Sequence, residues 1–162
     1  VTYVSTQGRR STGAGARLRE DDHTVLVREL QKVGAAQGWD VHVIELGSEN
    51  PTAWVDHVRA AAQSSVMLGV YGDALTNSVL LHPGPPGPPP AIIEFFPDGK
   101  FTNEHEFVAR SLGIEYVAWR NTKKYPRGSL PPISPPTTTD SKVLSIDVPA
   151  VVQFVKEQMK RS

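Results

Sequence analysis

The stretch "VMLGVYGDALTN", Val66 to Asn77, decides how the rest of the chain is read. Its opening run, Val66-Met67-Leu68-Gly69-Val70, is apolar without alternation, the pattern of a strand buried on both faces. The run stops at Tyr71-Gly72, where glycine lets the backbone turn sharply. Asp73-Ala74-Leu75-Thr76-Asn77 then has the composition of a helix start. The stretch therefore predicts a central strand that ends in a glycine turn and aims a helix N-terminus at its own carboxyl edge.

Reading outward, strand and helix alternate. Val1 to Ser5 is β-branched and aromatic and predicts a first strand. "TQGRRSTGAGARLRE" is a Gly- and Arg-rich loop. Asp21 or Asp22 is expected to cap a helix carrying Leu26, Val27, Leu30 and Val33 at helical spacing, ended by Gly38. Val41 to Leu46 predicts a second strand. Asn50-Pro51 predicts the start of a helix with Trp54, Val55, Val58 and Ala62 on one face. After the third strand, Ser65 to Val70, the tract "HPGPPGPPP" predicts a mobile surface connector, because proline lacks the donor that sheet and helix require. Ala91 to Phe96 is the fourth strand. A short helix capped by Asn103 and carrying Phe107, Val108 and Leu112 follows, and Ile114 to Trp119 is the fifth strand. A last helix is capped by Asp147 and carries Val152, Val155 and Met159.

Alternation with unbroken apolar strands argues for an α/β fold: a Rossmann-like parallel sheet with helices on both faces. Such sheets bind ligands beyond the carboxyl ends of their strands. A helix N-terminus there offers free N–H groups and partial positive charge, which suit a phosphate. The organisation expected is a domain over 1–121, a Pro/Ser/Thr-rich linker over 122–146, and a C-terminal helix over 147–162. The chain opens in mid-strand at Val1, so it is expected to be a piece of something longer.

Bulk properties narrow the partners. The 162 residues suit one domain, and 39% of them are hydrophobic. Lys plus Arg and Asp plus Glu balance at 17 each, which argues against a nucleic-acid partner. There is no cysteine, hence no disulfide or thiolate chemistry. No apolar run approaches the roughly 20 residues of a membrane span. The histidines (His23, His42, His57, His82 and His105) are scattered without metal-ligand spacing, so no metal is expected, and "NEHEF" around His105 reads as an acidic helix start. The chain contains neither a G-x-G-x-x-G fingerprint nor a P-loop.

Several stretches together resemble the C-terminal half of the family 61 glycosyltransferases: "VTYVS" with its Arg-rich loop, "ARLREDDHTVLVREL", "GWDVHVIEL", "WVDHVRAAAQSSVMLGVYGDALTN" and "AIIEFFPDG". The Gly-x-x-Gly-x-x-Leu-Thr-Asn run, followed after prolines by a strand ending in Ile-Glu, is the most telling unit. The similarity covers roughly residues 1 to 121 and is nearest to fungal members.

The resemblance implies the C-terminal, donor-binding domain of a GT-B enzyme. Such an enzyme moves a sugar, with inversion, from a nucleoside diphosphate to a hydroxyl of a glycan or protein. It implies an N-terminal domain missing from this chain, a catalytic base and acceptor groove lying largely outside it, and a membrane-anchored place in the Golgi or endoplasmic reticulum lumen. It requires no cofactor beyond the nucleotide-sugar substrate. Mapped onto this sequence, Gly72, Asp73, Ala74, Leu75, Thr76 and Asn77 form the diphosphate cradle; Arg9, Arg10 and Arg17 supply charge or belong to an ordinary solvated loop; and Glu94 accepts bonds from ribose hydroxyls or is held in a salt bridge to a nearby arginine or a helix cap. Three departures stand out: Thr6 follows Ser5 where many members have Ser-Arg, and two more lie at the turn. Tyr71 occupies the family's usual histidine position, and a phenol does not serve as a base near neutrality. Asp73 puts a carboxylate at the phosphate site. Both features favour a rival reading, a degenerate module of the same fold that binds nucleotide without catalysis. A flavodoxin-like regulatory or cofactor domain is disfavoured, because no loop has a flavin or dinucleotide pattern.

Overall fold

The computed structural model describes residues 1–8, 15–47, 52–82 and 87–161. In chain order its elements are β1 (Thr2–Ser5), β2 (Arg17–Leu18), α1 (Glu20–Gln37), β3 (His42–Glu45), α2 (Ala53–Ala62) and β4 (Val66–Val70). A 3-10 helix (Asp73–Leu80), β5 (Ala91–Phe95), α3 (Glu104–Ser111), β6 (Glu115–Arg120), β7 (Lys123–Pro126), β8 (Val143–Leu144) and α4 (Val148–Lys160) follow.

Six strands form one sheet in the order β3-β1-β4-β5-β6-β7. Every pairing is parallel except β6 with β7, which is antiparallel. The fold is thus α/β and Rossmann-like, with a mostly parallel sheet flanked by helices. The stretch Val66–Asn77 is central: β4 lies between β1 and β5, and all of its residues are buried. The strand order reverses between β1 and β4, which makes their carboxyl ends the switch point of the sheet.

Parity along the strands sends alternate side chains to two separate cores. Tyr3, Leu68, Ile93, Phe95, Val117 and Trp119 face α1 and α4, against Leu26, Leu30, Val151 and Val155. Val4, Met67, Ile92, Phe96, Tyr116 and Ala118 face the other way, where Ala61, Leu75 and Ala109 close the second core.

Several expectations about the helices are corrected. Arg19, not an aspartate, occupies the N-cap of α1, and no side chain caps it. Asp22 lies inside the helix and is buried. Its Oδ2 accepts the Ile146 N–H at 3.1 Å and its Oδ1 receives Arg19 at 2.9 Å, so it ties the helix to the distant C-terminal segment. In α2 the apolar Trp54 and Val55 are 70% and 43% exposed, while His57, Ala60 and Ala61 are buried. In α3 Phe107 and Leu112 are exposed and Glu106 and Ala109 are buried, and Asn103 stands at the N-cap without a side-chain bond. Asn50 and Pro51 lie outside the described residues. Asp147 does cap α4, accepting the Ala150 N–H at 3.0 Å, with proline in the first turn.

Residues 122–146, expected to be a linker on composition, carry structure of their own. β7 adds the edge of the main sheet, and β8 pairs in parallel with β2. Ser134 exchanges backbone bonds with Phe101, each at 2.9 Å. Proline removes donors only at its own position, and the residues between prolines still pair. In "HPGPPGPPP", residues 83–86 lie outside the described part of the chain. The tract's end is docked, since Pro90 is buried and its carbonyl accepts the Glu115 N–H at 2.7 Å.

Candidate functional site

At the end of β4 the Tyr71 N–H donates to the Phe95 carbonyl at 3.0 Å, prolonging the ladder by one bond. Gly72 then takes φ 102° and ψ −154°. That combination belongs almost only to glycine. A Cβ added there would meet nothing within 4 Å, so the requirement is conformational rather than one of space.

The segment after the turn is a 3-10 helix of eight residues rather than an α-helix. Such a helix still leaves its first N–H groups without partners inside it. Ala74 and Leu75 are fully buried and serve packing; Leu75 lies over Gly69, where an added Cβ would come within 3.2 Å of its Cδ2. The Thr76 hydroxyl donates to the Asp73 carbonyl at 2.9 Å. Asp73 and Thr76 are exposed and Asn77 is half-buried. Of the residues expected to form a cradle, Gly72, Asp73, Thr76 and Asn77 are therefore the ones that solvent reaches.

Tyr71 stacks on Phe96 with 5.6 Å between centroids and 8° between planes, and Phe96 meets Phe101 edge-on at 5.3 Å. Burial first, and then the charge of Asp140, push the Tyr71 phenol above its ordinary range, so it stays protonated and can donate. Next to this aromatic stack, at the carboxyl ends of β5 and β6, lies a cavity of about 340 Å³ whose walls include Phe96, Asp98, Asn121, Asp140, Ser141 and Ser145. Asp140 is fixed by the backbone N–H and hydroxyl of Thr137 at 2.6 and 2.9 Å, and by Lys100 at 3.3 Å. These bonds hold its pKa below the usual value. Among the described residues the cavity walls carry carboxylates, an amide and hydroxyls but no cationic side chain.

Of the arginines expected to supply charge, Arg9 and Arg10 lie outside the described residues. Arg17 belongs to β2, where its N–H donates to the Lys142 carbonyl at 2.8 Å and it pairs with Val143 of the cavity wall.

Glu94 differs most from its expected role. It is 0% exposed and both oxygens are engaged: Oε1 lies 2.8 Å from His105 Nδ1, and Oε2 accepts the Tyr116 O–H at 2.6 Å. Its register neighbours are Gly69 on β4 and Ala118 on β6, small residues that leave room for the cluster. The carboxylate thus faces an imidazole and a phenol inside the second core, not a ligand surface. Burial, then the charge and bond of Glu94, push the Tyr116 phenol far up. Burial opposes an imidazolium at His105, but the Glu94 bond and charge, with Glu104, outweigh it and raise the His105 pKa above its ordinary value. Glu106 adds a second buried carboxylate on α3, 3.7 Å from Arg110 and 3.6 Å from Arg127.

Sequence reasoning misses this cluster. Its only signal is a carboxylate inside an apolar strand, and partners 11 and 22 residues away cannot be named until β5, α3 and β6 are placed. Among the described residues no group of three His, Asp or Glu side chains could hold a metal ion, and no helix is long and apolar enough to cross a membrane. No protein-family model matches the chain, and no curated protein matches it.

Proposed function

We propose that this chain is the donor-binding half of an inverting GT-B glycosyltransferase, which moves a sugar from a nucleoside diphosphate to a hydroxyl of a glycan or protein. The observation that carries the reading is Gly72: a glycine-only turn at the carboxyl end of the central strand, beside the switch point, opening onto the first N–H groups of a helix. The diphosphate would sit on that turn with Thr76 and Asn77. The neighbouring cavity has the aromatic wall and hydrogen-bonding rim that suit a neutral, polyhydroxylated sugar better than an anion. Arg9, Arg10 and a second domain would supply charge to the diphosphate. An N-terminal partner domain and a lumenal place in the secretory pathway belong to the same proposal. Titration calorimetry with uridine diphosphate and its sugars tests it. Heat at millimolar ligand or below is expected, and none from any nucleoside diphosphate with the folded chain would overturn it.

A second reading, a non-catalytic nucleotide-binding module of the same fold, is favoured by one observation. The Tyr71 phenol at the turn is held protonated by burial and by the charge of Asp140, so it offers no base there. It predicts nucleotide binding without turnover of any nucleotide sugar.

A further inference from the structure

The cluster under α3 is more than the proposed donor site requires. A carboxylate only accepts hydrogen bonds, and the Tyr116 hydroxyl already serves Oε2 of Glu94. The 2.8 Å contact between Oε1 and His105 Nδ1 must then carry a proton on Nδ1. That fixes the tautomer: in the neutral ring the lone pair resides on Nε2. The His105 side chain keeps 14% of its surface, against 1% for Glu94, and Tyr116 is fully buried. The imidazole is therefore the cluster's contact with solvent. Its place in the fold matters as much. α3 follows the carboxyl end of β5 and packs against the 3-10 helix that follows β4, so His105 stands at the same edge of the sheet as Gly72. A buried carboxylate kept only for stability is a poor choice, because apolar residues of similar volume do as well or better.

We infer that His105 is a general base at this edge, its Nε2 taking the proton of the acceptor hydroxyl while Glu94 orients the ring and Tyr116 holds Glu94. The inference rests on the transferase reading and brings into this chain a role expected to lie outside it. In the step, the acceptor oxygen forms its bond to the anomeric carbon and its proton passes to Nε2. The bond from that carbon to the diphosphate oxygen breaks, and the electron pair leaves with the diphosphate. Glu94, 2.8 Å from Nδ1, stabilises the imidazolium as it forms. Besides Glu94, Glu104 acts on the ring; α3 also carries Glu106, paired with Arg110 and Arg127, and the adjacent 3-10 helix carries Asp73 in its first turn. This acidic surround suits a hydroxyl ligand better than a second anion.

The test uses the whole chain with uridine diphosphate sugars and water as the acceptor hydroxyl, reading donor binding by calorimetry and hydrolytic release of uridine diphosphate as turnover. For His105→Gln, donor affinity within about twofold of the parent and turnover lower by about 10²–10⁴ are expected. Turnover of the parent should rise with pH through a midpoint above 6.5, and Glu94→Gln should move that midpoint down. Unchanged turnover in His105→Gln with intact binding overturns the base alone. No binding by the parent overturns the transferase reading and the base with it, and binding without turnover overturns the base and favours the binding module. Carbethoxylation of the parent by diethyl pyrocarbonate, followed by peptide mass, guards against a variant that does not fold. His105 should react at Nε2 and be protected by donor plus acceptor, and an unreactive His105 would overturn the proposal.

Discussion

The two faces of the sheet are built on different terms. One is covered by α1 and α4, of 18 and 13 residues, and the strand side chains turned toward them are apolar almost throughout. The other is covered by α2, the 3-10 helix and α3, of 10, 8 and 8 residues. That face buries Thr2, His57, Ser64, Glu94 and Glu106, while Trp54, Val79, Phe107 and Leu112 stay exposed. The first face also buries Asp22 and Gln158, both contributed by its helices rather than by the sheet. The second carries costly polar groups, of which Glu94 lies near the carboxyl end of β5 and Thr2 and Ser64 at the amino ends of β1 and β4.

The sharpest break of this comparison is at Glu94. Glu94→Ala should destabilise the chain by about 3–5 kcal/mol in denaturant unfolding, because the Tyr116 hydroxyl and the His105 ring lose their buried partner. Leu26→Ala on the opposite face should cost a comparable ~2–5 kcal/mol, but through a cavity. The two differ in repair. A triple variant combining Glu94→Leu, His105→Leu and Tyr116→Phe removes every polar member of the trio while keeping its volume filled, and should recover most of the loss. No single second change should rescue Leu26→Ala. If the triple variant remains as unstable as Glu94→Ala, the polar face is needed for folding and the contrast fails.

A smaller effect is expected at Gly72. Alanine there should cost about 1–3 kcal/mol by forcing a side chain into a glycine-only conformation, with no steric contribution because the space beyond is open. A loss below measurement would mean that the turn relaxes at no cost, and its role as a fixed cradle would go with it.

The second face also sets the pH response. His105 has a raised pKa in the fold, so its contribution is complete below about 6.5 and fades as pH rises through the folded value. His57 is buried with its Nε2 unpartnered among the described residues, and burial lowers its pKa. Its contribution is complete above about 6.5 and fades as pH falls below that. From this pair, stability should peak near pH 6.5. Glu94→Gln should flatten the alkaline side and His57→Leu the acid side, read as unfolding midpoints across pH 5 to 8. A Glu94→Gln profile parallel to the parent's would separate His105 from the alkaline slope.

What is legible in the sequence divides along the same line. The buried run Val66–Val70 and its glycine turn place β4 and its edge, because an unalternating strand has one home in an α/β sheet. The spacing of Leu26 and Leu30 is equally plain, since an 18-residue helix repeats its face often enough to be read. The short helices repeat it barely twice. There, hydrophobicity alone puts Trp54 and Phe107 inside, whereas the sheet beneath offers Glu94 and asks for a polar partner. Tyr71 and Asp73 are legible as departures, but the cavity beside them draws Asp140 and Ser145 from a tract whose composition reads as linker. Pairing across that distance is tertiary information.

The smallest expected effect is the most direct test of the contrast. If the apolar side chains on the outer sides of α2 and α3 contribute nothing to the isolated fold, Trp54→Ser should leave the unfolding free energy within about 0.5 kcal/mol of the parent and Phe107→Ser within about 1.5 kcal/mol. Trp54 is 70% exposed and Phe107 59%, so little apolar area returns to water on unfolding either variant. Phe107 has one further contact, the Arg110 guanidinium 5.5 Å from its ring centroid, worth about 0.5–1 kcal/mol at most at an exposed site. Serine also lowers helix propensity slightly in α3, an effect of a few tenths of a kcal/mol. The combined loss at Phe107 should therefore exceed that at Trp54 by less than about 1 kcal/mol. A loss of several kcal/mol at either site would mean that these side chains pack in solution, and that the second face is closed by its own aromatics as the first is closed by α1 and α4.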